Sequence, residues 1–503
     1  MHSRWPLVGA SLISILLLVL IAKGHIAYWY EGHNGDHFYY AAMALQFAGH
    51  GYEQSLNDAA SYFNYPFPAH SLNLGFLNPQ VAPLIYPRTA LPLLAAPLIG
   101  SMGLSAMYVP GFICGAAAVV TLTLFCWRRF GAVAGALVLP LCVLSRTVME
   151  FGFGIYTESQ VFLILSLLLW VLPWDGVPRD WRHSLTAMLL VAMLVFARQV
   201  TVVPAAMVAG GMLFGTVRGR SLRNEWLPFF AAVIAAAALS TIVSGKWAPF
   251  DPFAAQLVLL KVNSVGEVVS LLPGRLWHSL TVDTGLAWQT DTVTLLIVVL
   301  ALTGAWLLRK TALPYVTATA LVAGLLTTSL NGMPNSFRYL FPVAPMLIVL
   351  TSVALAYLSR RIAHRFKPDE QRQPATSHKL ENNQGATVGL VAAAVSWSLL
   401  LAATIAVSQS APLSDAQSLK ISRAAFPTSW PLTDDSGTLY CSGDDYEVWF
   451  RNSQGTLYAF SGTAMAKSFL TPRLVSRSSG PVTYEWHEAA TLLADGKRLC
   501  HTT

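Results

Sequence analysis

The chain is 503 residues long, 54% of them hydrophobic and only 11% charged, with a mean hydropathy of +0.52. A soluble domain carries about 25% charged residues, so this composition fits lipid as the main solvent and predicts a polytopic, all-α membrane protein. The net charge of +7 then reports on loop placement. No soluble face gathers the cations, which excludes nucleic acid as a partner.

In chain order, Met1–Lys23 has the outline of a signal peptide, with Arg4 before an apolar run but no convincing small-residue cleavage site. A retained first span at 6–22, or signal anchor, is expected. Ten further apolar runs read as spans: 104–127, 130–145, 159–174, 184–197, 199–217, 228–245, 292–308, 312–330, 339–359 and 386–408. Cations cluster at Arg128/Arg129, Arg179/Arg182, Arg218/Arg220/Arg223, Arg309/Lys310 and from Arg360 to Lys379. Eleven crossings put every cluster on the cytoplasmic side, with the N-terminus inside and the C-terminus outside.

The stretch "RTALPLLAAPLIGSMG", 88–103, is apolar but short and holds Pro92 and Pro97. A full crossing there would invert the side of every later cluster, so a re-entrant or interfacial helix is expected. The outside then receives the first loop (23–103), a turn at 146–158, the amphipathic segment 246–291 and the tail. No Asp, Glu, Lys or Arg lies inside any span as drawn. Ion-coupled transport needs ionisable groups at membrane depth, and that argues against a transporter.

From about residue 409 the composition changes. "GTLYCSG", "YEVWFRN" and "GTLYAFSG" alternate apolar and polar residues between turn residues and predict antiparallel strands; 485–497 reads as a helix. Two domains are therefore expected, 1–408 in the membrane and 409–503 as a small, mainly β extracytoplasmic domain. Of five cysteines, Cys114, Cys126 and Cys142 fall in or beside apolar runs as packing residues. Cys441 and Cys500 read as a disulfide if the tail faces an oxidising compartment.

The charged residues that are not cytoplasmic gather at the outer ends of spans: Asp36, Arg88, Arg146, Glu150, Glu158, Arg198, Lys246, Arg275 and Arg338. Five motifs occur in order: "DHFYYA", "YPRTALPLLAAPLI", "YTESQVFLILSLLL", "FARQVTVVP" and "SFRYLFPVAPMLIVL". This succession, over roughly residues 1–360, resembles the GT-C superfamily of membrane glycosyltransferases, notably the aminoarabinose lipid A transferases and protein O-mannosyltransferases. The resemblance implies a GT-C-like fold and inverting transfer of a sugar from a polyprenyl-phosphate donor, at the outer face of the plasma membrane. The acceptor would be an envelope glycan, lipid or protein.

On that resemblance Asp36 is the general base and Glu158 a second site carboxylate, while Arg338, Arg198, Arg88 and Tyr339 hold the donor phosphate. Arginine suits this task because its planar, permanently charged fork matches phosphate. Plainer roles stand beside these: a helix cap for Asp36, a favourable charge at a helix N-terminus for Glu158, and headgroup contact for the arginines. His33 and His37 either assist Asp36 or meet solvent and headgroups. Tyr40 stacks on sugar or belongs, with Tyr28, Trp29, Tyr30, Phe38 and Tyr39, to an interfacial aromatic belt. His33, Asp36 and His37 do not form a compact metal-ligand set, so no metal or other cofactor is expected. A lipid-linked sugar flippase or assembly scaffold, and an envelope glycan polymerase or ligase, remain as alternative functions.

Overall fold

The computed structural model describes residues 35–62, 85, 87–174, 179–219, 225–247, 257, 262, 264–331, 337–365, 417–422, 424, 435–442, 447–453 and 457–459. The expected spans 6–22 and 386–408, His33, Cys500 and the helix at 485–497 lie outside them. The helices and the strands belong to two separate units.

In the helical unit, α1 (Gly35–Phe47) and α2 (Tyr52–Tyr62) precede α3 (Ala90–Met102). A 3-10 turn, Gly103–Met107, joins α3 to α4 (Tyr108–Phe130). There follow α5 (Ala132–Leu144), α6 (Arg146–Phe153), α7 (Glu158–Val171), α8 (Trp181–Ala197), α9 (Val202–Val217) and α10 (Leu227–Trp247). Then come α11 (Val265–Thr290), α12 (Thr292–Leu307), α13 (Leu313–Asn331), a 3-10 turn at Arg338–Val343 and α14 (Ala344–Arg365).

Each of the nine described segments expected as spans falls on helix, but among the described residues three stretches are long and apolar enough to cross a membrane: Ala90–Phe130, Leu313–Leu330 and Arg338–Arg361. The remaining runs are shortened by local chemistry at their ends. At 130–145 the helix stops at Leu144, where Ser145 turns extended, and the chain bends by 85° into α6. The turn expected at 146–158 is thus largely helical, because the Ser145 side chain caps α6 by accepting from Val148 N at 3.1 Å. The stretch 88–103 forms α3, whose 13 residues rise about 20 Å, and it runs into α4 within a helical stretch of 41 residues. In 246–291 the described helix is α11, opened by the capping box "SVGE": Ser264 Oγ accepts from Glu267 N at 3.3 Å.

Helix packing brings sequence-distant segments together. Helix α4 packs on α5 and α7, α8 on α10, α9 on α13, and α12 on α14, while α1 lies against α3. The sequence "GFICG" makes one approach close enough to position the site. A Cβ on Gly111 would stand 2.1 Å from the Gly154 carbonyl oxygen, and one on Gly115 would stand 2.2 Å from that of Gly152. Glycine at these two places lets the end of α6 lie backbone-to-backbone on α4.

The second unit is an antiparallel meander of β1 (Gln417–Ser422), β2 (Ser436–Ser442), β3 (Glu447–Asn452) and β4 (Leu457–Ala459) in sequential order. Its register pairs Leu419 with Leu439 and Leu439 with Phe450, and Leu439, Val448, Trp449 and Phe450 are buried. The three strand motifs of the tail become β2, β3 and β4; β1 is added by the structure. Cys441 is disulfide-bonded, and Cys114, Cys126 and Cys142 are free and buried.

Gly111→Leu is expected to lower the thermal midpoint of the detergent-solubilised protein, with an overpacking cost of about 1–3 kcal/mol or more. Gly100→Ala, at a site where an added Cβ meets nothing within 4 Å, should leave the midpoint unchanged.

Candidate functional site

Four elements meet at one cluster of charges. Asp36 is the second residue of α1, so it lies inside the first turn, and its side chain turns toward arginines. Glu158 is the first residue of α7. Arg198 directly follows α8, at a residue whose extended backbone (φ −163°, ψ 142°) ends the helix. Arg338 opens the 3-10 turn after Phe337, which is held at φ 60°, ψ 15°. That left-handed conformation is uncommon for a bulky side chain, and it reverses the chain just where Arg338 must enter the interior.

Arg338 is shared between the two acids: its Nε donates to Glu158 Oε1 and its Nη2 to Asp36 Oδ2. Arg198 Nη1 donates to the same Glu158 oxygen at 2.6 Å. Arg88 Nη1 stands 3.7 Å from Asp36 Oδ2 and donates to the Tyr40 hydroxyl at 3.3 Å. The Tyr40 hydroxyl lies 3.4 Å from Thr157 Oγ1, and Thr157 Oγ1 donates to Glu158 Oε2 at 3.3 Å. Since the one hydroxyl proton of Thr157 goes to Glu158, Tyr40 is the donor to Thr157. The contacts close a ring of six residues: Asp36, Arg338, Glu158, Thr157, Tyr40 and Arg88.

Burial differs sharply around this ring. Glu158 is 0%, Arg338 3% and Arg198 4% exposed, so neither arginine snorkels to headgroups. The Asp36 side chain keeps 18% exposure and that of Arg88 13%. Arg88 Nε is nevertheless buried without a hydrogen-bond partner among the described residues. Burial works against the charge on Asp36, but the guanidinium groups of Arg338, Arg88 and Arg198 outweigh it. They hold the carboxyl well below the usual aspartate range.

Aromatic rings surround the cations. Arg338 lies 4.8 Å from the Tyr156 ring centroid and 5.8 Å from that of Phe151, and Arg198 lies 5.4 Å from that of Tyr339. His37 is buried, its ring edge-on to Tyr156 at 4.4 Å. Tyr40, expected as a sugar platform, is 0% exposed, and presents its hydroxyl to the cluster instead of an open ring face.

The structure thus brings together Asp36, Glu158, Arg88, Arg198, Arg338, Tyr339, Tyr40 and His37. Thr157, Tyr156 and Phe151 join them and were not singled out from the sequence. The motif "YTES" held the signal for two of these, since an aromatic and a hydroxyl directly precede the buried acid. Phe151 had no local signal. Glu150, a rival acid, stands apart on α6 with Arg146 at 3.8 Å. Asp291 was passed over as well. Its carboxylate accepts from Thr147 N at 2.6 Å, Thr294 N at 3.0 Å and Thr294 Oγ1 at 2.6 Å, with Ser145 Oγ at 3.3 Å. One side chain therefore caps α12 and pins the start of α6, which carries Phe151.

Among the described residues no group of three or more His, Cys, Asp or Glu side chains is placed to hold a metal ion. No family model, curated protein or solved structure matches the chain.

Two outcomes follow from the burial pattern. Glu158→Gln leaves Arg198 and part of Arg338 uncompensated in the interior and should cost about 3–5 kcal/mol of stability, read as a large drop in thermal midpoint. Asp36 has a folded-state pKa below its unfolded one, so its contribution is complete above the unfolded value and fades as pH falls toward the folded one. The destabilisation caused by Asp36→Asn should therefore be constant from about pH 8 to about pH 5 and shrink below about pH 4, as thermal midpoints of both proteins across that range will test.

Proposed function

We propose that the protein is an integral membrane glycosyltransferase of the GT-C type, moving a sugar from a polyprenyl-phosphate donor to an envelope glycan, lipid or protein. The observation that carries this reading is the charge balance of the cluster. Three guanidinium groups, Arg88, Arg198 and Arg338, face two carboxylates, Asp36 and Glu158, at the ends of apolar helices. A surplus cation in a partly dry site favours an anionic ligand. The buried, unpartnered Nε of Arg88 adds a donor that a phosphate oxygen would satisfy, and leaving such a donor unmade costs about 1–3 kcal/mol. An aromatic-lined, cationic site flanked by membrane-length helices suits a phosphate whose carrier stays in lipid.

In the proposed reaction the acceptor hydroxyl attacks the anomeric carbon as its bond to the phosphate oxygen breaks. Asp36 takes the acceptor's proton, and the arginines stabilise the charge that builds on the leaving phosphate. A carboxylate held ionised is a weak base, so the proton moves late, after most of the bond to phosphate is broken. Glu158 holds Arg198 and Arg338 in place, and Tyr339 packs on Arg198. The enclosing fold in this reading is GT-C-like, with about eleven spans, the N-terminus cytoplasmic and the β domain extracytoplasmic.

The test is to incubate membranes containing the protein with a panel of radiolabelled polyprenyl-phosphate sugars and follow which label moves. Asp36→Ala should lose about 10²–10⁴-fold of the transfer rate at normal membrane abundance. Full activity in that variant would remove Asp36 as the base, and label transfer from no donor would remove the reading.

A further inference from the structure

The ring around Arg338 is closed by one weak link. Glu158 is fully buried and fixed from three sides, by Arg198, Arg338 and Thr157. Asp36 is its opposite. It sits at the start of a 13-residue helix, keeps 18% of its side chain exposed, and meets its second cation, Arg88, only at 3.7 Å. Both guanidinium groups that face Asp36 are ones a phosphate would need. Arg338 Nη2 is occupied by the Asp36 carboxylate itself, and Arg88 also holds a buried Nε with no acceptor. The general base and the donor phosphate therefore require the same donors.

We infer that the donor phosphate displaces the Asp36 carboxylate from Arg338 and Arg88, so that donor binding itself frees the base to face the acceptor. Before binding, the ring holds Asp36 in an ion pair and keeps it from accepting a proton. On binding, the phosphate takes the places of Asp36 Oδ2, and the Glu158 side of the ring stays closed through Arg198 and the Tyr40–Thr157 bridge. The inference rests on the polyprenyl-phosphate reading and adds the order of events at that site.

The exchange also keeps the site electrically balanced through turnover. Three guanidinium groups oppose two carboxylates and one phosphodiester charge before reaction. As the acceptor oxygen bonds to the anomeric carbon, the electron pair of the breaking bond goes to the phosphate, which becomes a dianionic monoester. The acceptor's proton passes to Asp36, which becomes neutral. Three positive charges then face Glu158 and the doubly charged phosphate, so the total is zero both before and after. In a site of low dielectric, a change of one net charge would be costly, and only an acid that gains its proton in the same step avoids it.

The experiment measures binding of a long-chain polyprenyl monophosphate, the carrier released by the reaction, to purified protein in lipid nanodiscs. With its competitor for Arg338 gone, Asp36→Asn should bind roughly tenfold or more tightly than wild type. Glu150→Gln removes one negative charge nearby, from a pair standing at 3.8 Å, without touching the ring, and should stay within about twofold. Unchanged or weaker binding by Asp36→Asn, or equal tightening by Glu150→Gln, overturns the exchange and leaves the glycosyltransferase reading standing. Failure of wild type to bind the carrier at any concentration overturns both. Should Asp36→Asn fail to fold, wild-type protein labelled with carboxyl-¹³C aspartate gives the answer by infrared difference spectroscopy. Carrier addition should shift one aspartate carboxylate stretch, and an unshifted spectrum overturns the exchange.

Discussion

Arg338 is one guanidinium divided between two acids that lie 122 positions apart in the chain, Asp36 at the head of α1 and Glu158 at the head of α7. The position of nearly every other polar group near it follows from that division. Glu158 can stay ionised at 0% exposure only because two arginines and a hydroxyl surround it, since an isolated carboxylate in an apolar interior would take up a proton instead. Arg198 in turn must leave its helix to arrive there, and its extended backbone just after Ala197 is what lets it do so. The strain at Phe337, a bulky residue with φ of 60°, is of the kind retained where surrounding contacts over-determine a conformation. Here those contacts are the two ion pairs of the next residue.

The apolar framework supplies the other half of the constraint. Phe151 and Tyr156 lie against Arg338 because α6 ends on α4, and α6 ends there because Gly111 and Gly115 leave room for a backbone. The floor of the charged cluster is thus set by residues that have no side chain at all. The phenol of Tyr40, whose pKa burial raises, keeps its proton. The chain of donors from Arg88 through Tyr40 and Thr157 to Glu158 therefore has a single direction. A network so oriented rigidifies the side of the cluster that holds Glu158 and leaves Asp36 as its adjustable member.

Helical character and the apolar segments were legible in the sequence, since nine expected segments fall on helices. Their lengths were not. Hydropathy continues smoothly from 130 to 145 and beyond, but the chain bends at Ser145, because a serine that caps a helix is only weakly apolar and does not interrupt a hydropathy run. Strand β1 was missed for a related reason: "QSLKIS" holds only two large apolar residues, and its pairing with β2 is a tertiary fact. The acids and arginines of the cluster were picked out by type and order along the chain. Their ion pairing was beyond sequence reach because each pair closes over many tens of residues. Tyr40 shows the limit most clearly. An aromatic near a polar loop reads the same whether its ring or its hydroxyl faces the site.

Asp291 carries a more general consequence. A carboxylate has about four lone-pair positions to offer, and Asp291 surrounds its own with two backbone N–H groups and two hydroxyls. All of these donors are neutral, and each belongs to a helix end. It is saturated, and has no valence left for a reactant. The acids of the cluster are held chiefly by cations, which a stronger or more numerous anion can bid away. Which neighbours donate to a buried acid, more than how deep it lies, separates a rivet from a working part.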